Sequence, residues 1–409
     1  MKRINGSDTL YKITKDYPET IDVFVAEGFT QMESESQRET FGKKLTLEMA
    51  LKLRKIGLES FIEKLEDIVE QSRDGVDETL KEVEFDESAD IKIQGILPCP
   101  VRIPLLESWT EWMNANGHDL GFSVTYDLKA ASMGVGWLED SLRSADDEEI
   151  LSDLFLSAGF DLFFDEELMG KFKAKGTFSD MSGITNYNRD FHSANIELKD
   201  PKKEYAIIGV VPAVFLVNEA ELGDIKRPES WEDLLRDDFE GRVSLPIGDF
   251  DLFNAILLNI YKNYGEEGVR KLGKSLLKSM HPSQMVKSHR ESVKPLVTIM
   301  PYFFTKMVHE GGPMSAVWPS DGAIISPIFL LSKASKSDKL KPIVDFFASK
   351  DVGEILSHNG RFPSVHPEVD NLTAKDKPYM WLGWDYIEQN NIGALIKKCE
   401  TYFNEGSSK

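Results

Sequence analysis

Pro98–Cys99–Pro100 is the most unusual chemistry-bearing triplet of the sequence. One of only two cysteines sits between prolines, directly after the apolar run "IKIQGIL" and shortly before Arg102. Proline removes N–H groups and fixes φ, so this corner stays rigid and cannot pair as a strand. A thiol there is either packed and inert, as free cysteine usually is, or a nucleophile or soft-metal ligand. Arg102 can clamp a carboxylate or phosphate bidentately, and can equally be salt-bridged on the surface of so acidic a chain.

Further loops combine polar groups with small or aromatic residues. Ala130–Ala131–Ser132–Met133–Gly134 opens a helix, where backbone donors and the Ser132 hydroxyl suit an anion or polar head group; the plainer role of Ser132 is an N-cap. Asp165 in Phe163–Phe164–Asp165 is a ligand carboxylate or a helix cap. Gly248 permits close backbone approach, and Asp249 beside it caps "DLFNAILL" or contacts a ligand. Tyr302, Phe303 and Phe304 form an aromatic cluster, which more often packs in a core than faces a ligand. Trp318–Pro319–Ser320–Asp321–Gly322 suits a cleft wall, and is equally a turn built of turn residues.

No nucleophile–base pair is legible. His281, His289 and His309 lack His-x₃-His spacing, and no Gly-x-Ser-x-Gly, Walker-type loop, dinucleotide fingerprint or His-Glu-x-x-His occurs. No catalytic residue, metal ligand or cofactor is therefore expected. Cys99 and Cys399 lie far apart with no CxxC, which argues against a disulfide framework or structural zinc.

The elements that must position these loops follow from length and pattern. The chain has 409 residues, and single cores stop growing near ~250–300, so two or three domains are expected. A formal net charge of −21 argues against nucleic acid or an anionic membrane as main partner. No apolar stretch reaches the ~18 residues of a membrane span. The start, "MKRINGSDTLYKITKDYPETIDVF", has no apolar h-region, so a cytoplasmic protein is expected.

Residues 1–72 read as a small helical module, with Ser7 or Asp8 capping a first helix and Gly28 and Gly57 as breaks. Residues 73–90, containing "RDGVDETLKEVEFDESAD", read as an acidic linker. From Ile91 the texture alternates. Strands are expected at "IKIQGIL", "GFSVTYDL" and "FDLFF", with helices at "IPLLESWTEWMNAN" (Pro104 in its first turn), "GVGWLEDSLRSA" and "EELMGKFKA". This βαβα order implies a largely parallel sheet with helices on both faces. Then come a long strand "YAIIGVVPAVFLVN" interrupted by Pro212, a capped helix at "SWEDLL" and strand "RVSLP". Two helices, "DLFNAILLNIYKNYG" and "EGVRKLGKSLLKSM", follow. Strand "MSAVWP", a helix or strand "AIISPIFLLSKA" and polar C-terminal helices complete the chain.

The order of these pieces resembles the two-lobed substrate-binding proteins of ABC transporters, in the class holding ferric-iron and polyamine binders. "RPESWEDLLRDDFEGRVSLP" is similar to that class's Pro-x-Ser-Trp…Gly-Arg-Val segment. "VTYDLKAASMGVGWLED" is similar to its strand–loop–helix, "SAVWPSDGAIISPIFLLSKASKSDKLKPIVDFFASKD" to its returning strand and terminal helices, and "NGRFPSVHP" to its close. The resemblance spans roughly residues 91–370 and implies two doubly wound α/β lobes joined by crossing strands. Lobe one would comprise 91–205 and a return at 316–409 with the C-terminal helices; lobe two would comprise 206–315. The adjacent tyrosine pair that holds iron in many ferric binders is missing, since Tyr302 and Tyr379 stand alone, so no iron site is carried over. Residues 1–72 resemble a small helical domain often attached to redox or iron–sulfur-associated proteins. That domain commonly carries a cysteine pair after its Gly-Phe, and "EGFTQMESES" has none.

In doubly wound sheets, ligands sit outside the carboxyl ends of strands. That rule gathers Pro98, Cys99, Arg102, Ser132, Met133, Gly134, Asp165, Gly248, Asp249, Tyr302, Trp318, Ser320 and Asp321 as candidate ligand contacts. The expected activity is non-catalytic closure of two lobes over a small polar or anionic ligand, with a protein partner for residues 1–72. The competing expectation is an enzyme on the same scaffold with Cys99 as nucleophile or soft-metal ligand.

Overall fold

The computed structural model describes residues 4–408 except 18–19, 27–28, 33, 35–36, 55–57, 59–60, 63–64, 66–68, 70–84, 131–135, 146, 161, 193–195, 249, 281–284, 291–292, 309–310 and 375. The chain divides into two compact units, Met1–Glu82 and Val83–Lys409.

In the first unit, helices α1 (Leu10–Asp16), α2 (Ile21–Ala26) and α3 (Leu47–Arg54) enclose their own core. Leu10, Ile13, Phe24, Leu47, Leu51 and Leu65 are buried together, and Phe24 meets Phe29 and Phe61 at centroid distances of 6.0 and 5.6 Å. The cap of α1 is Thr9, whose hydroxyl accepts from Lys12 N, rather than Ser7 or Asp8. Asp8 is occupied by Asn5 N and the Lys12 ammonium. The expected breaks at Gly28 and Gly57, and most of the acidic segment, lie outside the described residues. Its last part is not a linker: Asp86 N donates to Thr125 Oγ1 and Asp90 pairs with Ser123 and Lys339, fixing this stretch to the second unit.

The second unit begins as the alternation predicts, with β1 (Ile91–Leu97), α4 (Cys99–Asn116), β2 (Val124–Ala130) and α5 (Gly136–Ser144). The third strand is not "FDLFF" but β3 (Leu154–Ala158). Gly159, with φ of 100°, ends it, and Leu162–Phe164 coil into a tight 3₁₀ turn before α6 (Glu166–Lys173). The aromatic run is buried on every side, so its strand-like composition reflects packing, not pairing. Helix α4 starts at Cys99, which leaves Pro104 inside it rather than in its first turn.

Strand β4 (Tyr205–Asn218) is continuous through Pro212, and the only register shift in its pairing with the returning strand falls between Ile207 and Gly209. After it come α7 (Trp231–Leu234) and β5 (Val243–Leu245). The two expected helices lie on either side of Gly265, whose φ of 67° and ψ of −165° are non-helical; together they span α8 (Phe250–Ser275), and the expected tail of the second is strand β6 (Leu276–Ser279). Strands β7 (Val297–Pro301), β8 (Met314–Val317) and β9 (Ala323–Ser332) follow, then α9 (Ser337–Phe347), α10 (Lys350–Glu354), β10 (Tyr379–Met380), α11 (Trp384–Gln389) and α12 (Ile392–Ser407).

The strand order is β2-β1-β3-β9-β4-β7-β5-β6, with β10 on β9 and β8 on β4. The β1/β2, β1/β3, β5/β6 and β5/β7 pairs are parallel, whereas β3/β9, β4/β9, β4/β7 and β4/β8 are antiparallel. The sheet is thus mixed rather than largely parallel, because two long strands run opposite ways between the lobes. Strand β4 pairs with β9 from Tyr205 to Pro212, then with β7 from Ala213 onward.

At the outer end of lobe one, Lys333 and Asp153 form a pair with side chains only 4% exposed. The Lys333 ammonium also donates to Leu151 O, and Asp153 accepts from Lys92 N, so neither buried charge lacks partners. The C-terminal helix α12 lies along α8 at a crossing made of glycine. A Cβ on Gly273 would fall 2.1 Å from Phe403 O, and one on Gly406 would fall 2.0 Å from Arg270 O. Backbone meets backbone there, so side chains cannot relieve the clash. Gly406→Val is expected to destabilise the chain by about 2 kcal/mol or more in urea unfolding. Gly248→Ala, where a Cβ meets nothing within 4 Å, should stay within roughly 0.5 kcal/mol.

Candidate functional site between the lobes

The pairing registers decide which loops face one another. Strand β3 runs from Leu154 opposite Ser332 to Ala158 opposite Ile328, toward the β4/β9 crossover at Pro212 and Ile325. Strands β1 and β2 are parallel to it, so all three carboxyl ends point that way. In lobe two, β7 runs from Val297 opposite Val217 to Pro301 opposite Ala213, toward the same crossover, with β5 parallel to it. These five strand ends from two lobes, with that of β6 beside β5, therefore point toward one crossover, the position at which open α/β sheets hold ligands.

Several candidates stand at these ends. Pro98 is buried and precedes α4, its carbonyl accepting from Val101 N at 3.1 Å. Cys99 opens that helix. Arg102 Nε donates to Leu128 O at 3.1 Å, tying α4 to β2. Gly248 follows β5. Tyr302 follows β7 and opens the 3₁₀ turn Tyr302–Met307. Ser132, Met133, Gly134 and Asp249 lie outside the described residues.

Other candidates are turned elsewhere. Asp165 caps α6, accepting from Glu167 N at 2.8 Å, and packs against Gly393 in the first turn of α12. Ser320 is an exposed turn residue whose N–H donates to Glu229 O. Asp321 accepts from Trp231 N at 2.9 and 3.2 Å and from the Tyr264 hydroxyl at 3.4 Å, so it completes the N-terminus of α7. Burial raises its carboxyl above the usual range, against the pull of those hydrogen bonds. Trp318 is an aromatic strut: its indole donates to Pro378 O, and its ring meets Tyr302 at 5.1 Å and Tyr379 at 5.4 Å, both edge-on.

Two cleft residues escaped the sequence reading. The segment Gly360–Pro363 belongs to lobe one: Val210 N donates to Pro363 O, and Gly360 packs against Val101 of α4. Within it, Arg361 takes the left-handed φ of 47°, which costs a non-glycine residue free energy. Its guanidinium donates to Thr305 Oγ1 at 2.5 Å and lies 5.2 Å over the Tyr302 ring. Lys306, next to Thr305 in lobe two, donates to His358 O at 2.7 Å and Asn359 O at 2.8 Å. Burial first, and then the Arg361 charge, hold its ammonium below the ordinary lysine range. "NGRFP" announces a turn through its glycine and proline, but a left-handed arginine has no sequence signature.

The assignments away from the cleft are testable. Asp321→Ala should cost roughly 1–2 kcal/mol of stability by urea unfolding, through loss of the α7 N-terminal acceptor. Cys399 is buried, its thiol pushed up to about 12 by that burial. In a Cys99→Ser chain the remaining thiol should therefore resist a disulfide reagent at pH 8 and react on unfolding.

Residues 4–62 match a domain of unknown function, DUF1858. The sequence matches no curated protein. Solved structures with the same fold include the ferric binding protein of Campylobacter jejuni (TM-score 0.54, 15% identity, 78% of this chain and 99% of that one). An ABC transporter protein from Clostridium perfringens is similar (0.55, 12%, 77% and 99%). So is the IdiA/FutA protein of Trichodesmium with iron and citrate ligands (0.52, 10%, 78% and 99%). These likenesses carry the two-lobed fold with its crossing strands. Residues 149–390, more than half of the chain, match the family described as bacterial extracellular solute-binding protein, and the chain belongs to that family.

Proposed function

We propose that this protein is a solute receptor whose lobes close over a small polar or anionic ligand between the five strand ends. The reading is carried by the hydrogen bonds that span the cleft, from Lys306 to the His358 and Asn359 carbonyls and from Arg361 to Thr305. They join a loop of lobe one to a loop of lobe two. A ligand that touches both lobes favours the closed arrangement by its differential affinity for it.

The hinge supports the same reading. Pro212 and Pro327 both lie in the crossing strands, where each removes a ladder donor, and a register shift precedes them between Ile207 and Gly209.

The test is small-angle scattering with tryptophan fluorescence while citrate, inorganic phosphate, spermidine, glucose and ferric citrate are titrated into the full chain. Ferric citrate is included because neighbouring structures are named as ferric binders. A binding solute is expected to reduce the radius of gyration and to change emission, with Trp318 beside Tyr302 as reporter. Binding with unchanged dimensions would count against the clamp. Cell fractionation separates delivery to a transporter from a sensor or carrier role inside the cell.

A further inference from the structure

The chain carries 69 acidic and 48 basic residues. Some cations pair with carboxylates, as in Arg270–Glu405, Lys339–Asp90 and Arg143–Glu139. Arg361 and Lys306 instead face each other from opposite lobes. The Arg361 charge acts on Lys306, and among the described residues neither forms an ion pair. The Arg361 guanidinium has five N–H donors, and Thr305 is its hydrogen-bond acceptor among the described residues. The group lies over the Tyr302 ring, with its Cζ 5.2 Å from the ring centroid.

We propose that the solute of this cleft is a small oxyanion, bearing a carboxylate or phosphate-type group, that docks on the Arg361 guanidinium and is shared with Lys306. The inference rests on the cleft being the solute site. Arg361 presents the planar fork that matches two oxygens of a carboxylate or phosphate. The anion also supplies what closure lacks. Bringing Arg361 and Lys306 together without it sets like charges against each other, whereas an anion between them turns that repulsion into attraction to both lobes. The negative field of the whole chain does not forbid this, because it is screened within ~8 Å at physiological salt and local donors decide.

The experiment is calorimetry and thermal melting of the full chain with inorganic phosphate, sulfate, citrate and malonate, against spermidine and glucose. At least one oxyanion is expected to bind and raise the melting temperature, and the phosphate and carboxylate arms identify the group. Arg361→Met should weaken that binding roughly ten- to a hundredfold, and Lys306→Met by about tenfold. Arg361→Lys, which keeps the charge and loses the fork, should fall between wild type and Arg361→Met. Cooperative melting of each variant shows that it folds; if Arg361→Met does not, Arg361→Lys and Lys306→Met carry the test. The inference is overturned if no oxyanion binds, or if binding is indifferent to these substitutions. Should spermidine or glucose close the lobes while oxyanions do nothing, the clamp stands and the oxyanion falls. If no solute of either sign or of none compacts the chain, both fall.

Discussion

The antiparallel pairing of β4 with β9 is the constraint on which the rest of the large unit depends. Strand β9 pairs with β3 of lobe one, whereas β4 pairs with β9 over Tyr205–Pro212 and with β7 and β8 beyond it, so β4 joins the two half-sheets. Once this pair is set, the directions of β3 and β7 are fixed by their antiparallel contacts with it, and β1, β2 and β5 follow by parallel pairing. The facing of five carboxyl ends is therefore not a separate event of folding. It is the geometric consequence of one pairing.

The same pair has to bend if the lobes are to move. Two prolines and a register shift thin its hydrogen bonding around the crossover, while aromatic packing holds the lobe-one side firm. Tyr205 stacks on Phe164 at 4.7 Å, and its hydroxyl donates to Phe163 O. The C-terminal helix adds a second tie. Its first turn receives Asp165 from lobe one, and its last turns approach α8 of lobe two through Gly273 and Gly406. Movement of the lobes is thereby limited to directions that respect this backbone contact. The cleft contacts made by Arg361 and Lys306 are of another kind: polar, partly exposed and carrying like charge. They suit an equilibrium that a ligand biases rather than a permanent join.

Much of the fold was legible. The βαβα alternation, the serine cap of "SWEDLL", where Ser230 Oγ accepts from Asp233 N, and the family motifs all act through neighbours in the chain, and local pattern reports them. Where the reading went astray, distant contacts overrode local signals. The "FDLFF" run has strand composition, yet it is coiled because Phe155, Phe329, Tyr205 and Trp384 surround it. The break at Gly265, by contrast, was legible, because a glycine of positive φ interrupts a helix locally.

By itself, the sequence determined the class of architecture, since this follows from periodicity, turn chemistry and the ordered motifs. It also placed Pro98, Arg102, Gly248 and Tyr302 at strand ends. Only the tertiary structure decided which polar residues face the cleft. Asp165, read as a ligand carboxylate or a helix cap, is the cap of α6 through Glu167 N, whereas Asp321 is held by Trp231 N, 90 positions away in the chain. Arg361 and Lys306 are 55 positions apart in the sequence (361 minus 306) and looked unremarkable there. They meet because β4 and β9 carry their loops to the same gap. Charge neighbours in space are set by strand register, and no local pattern encodes that.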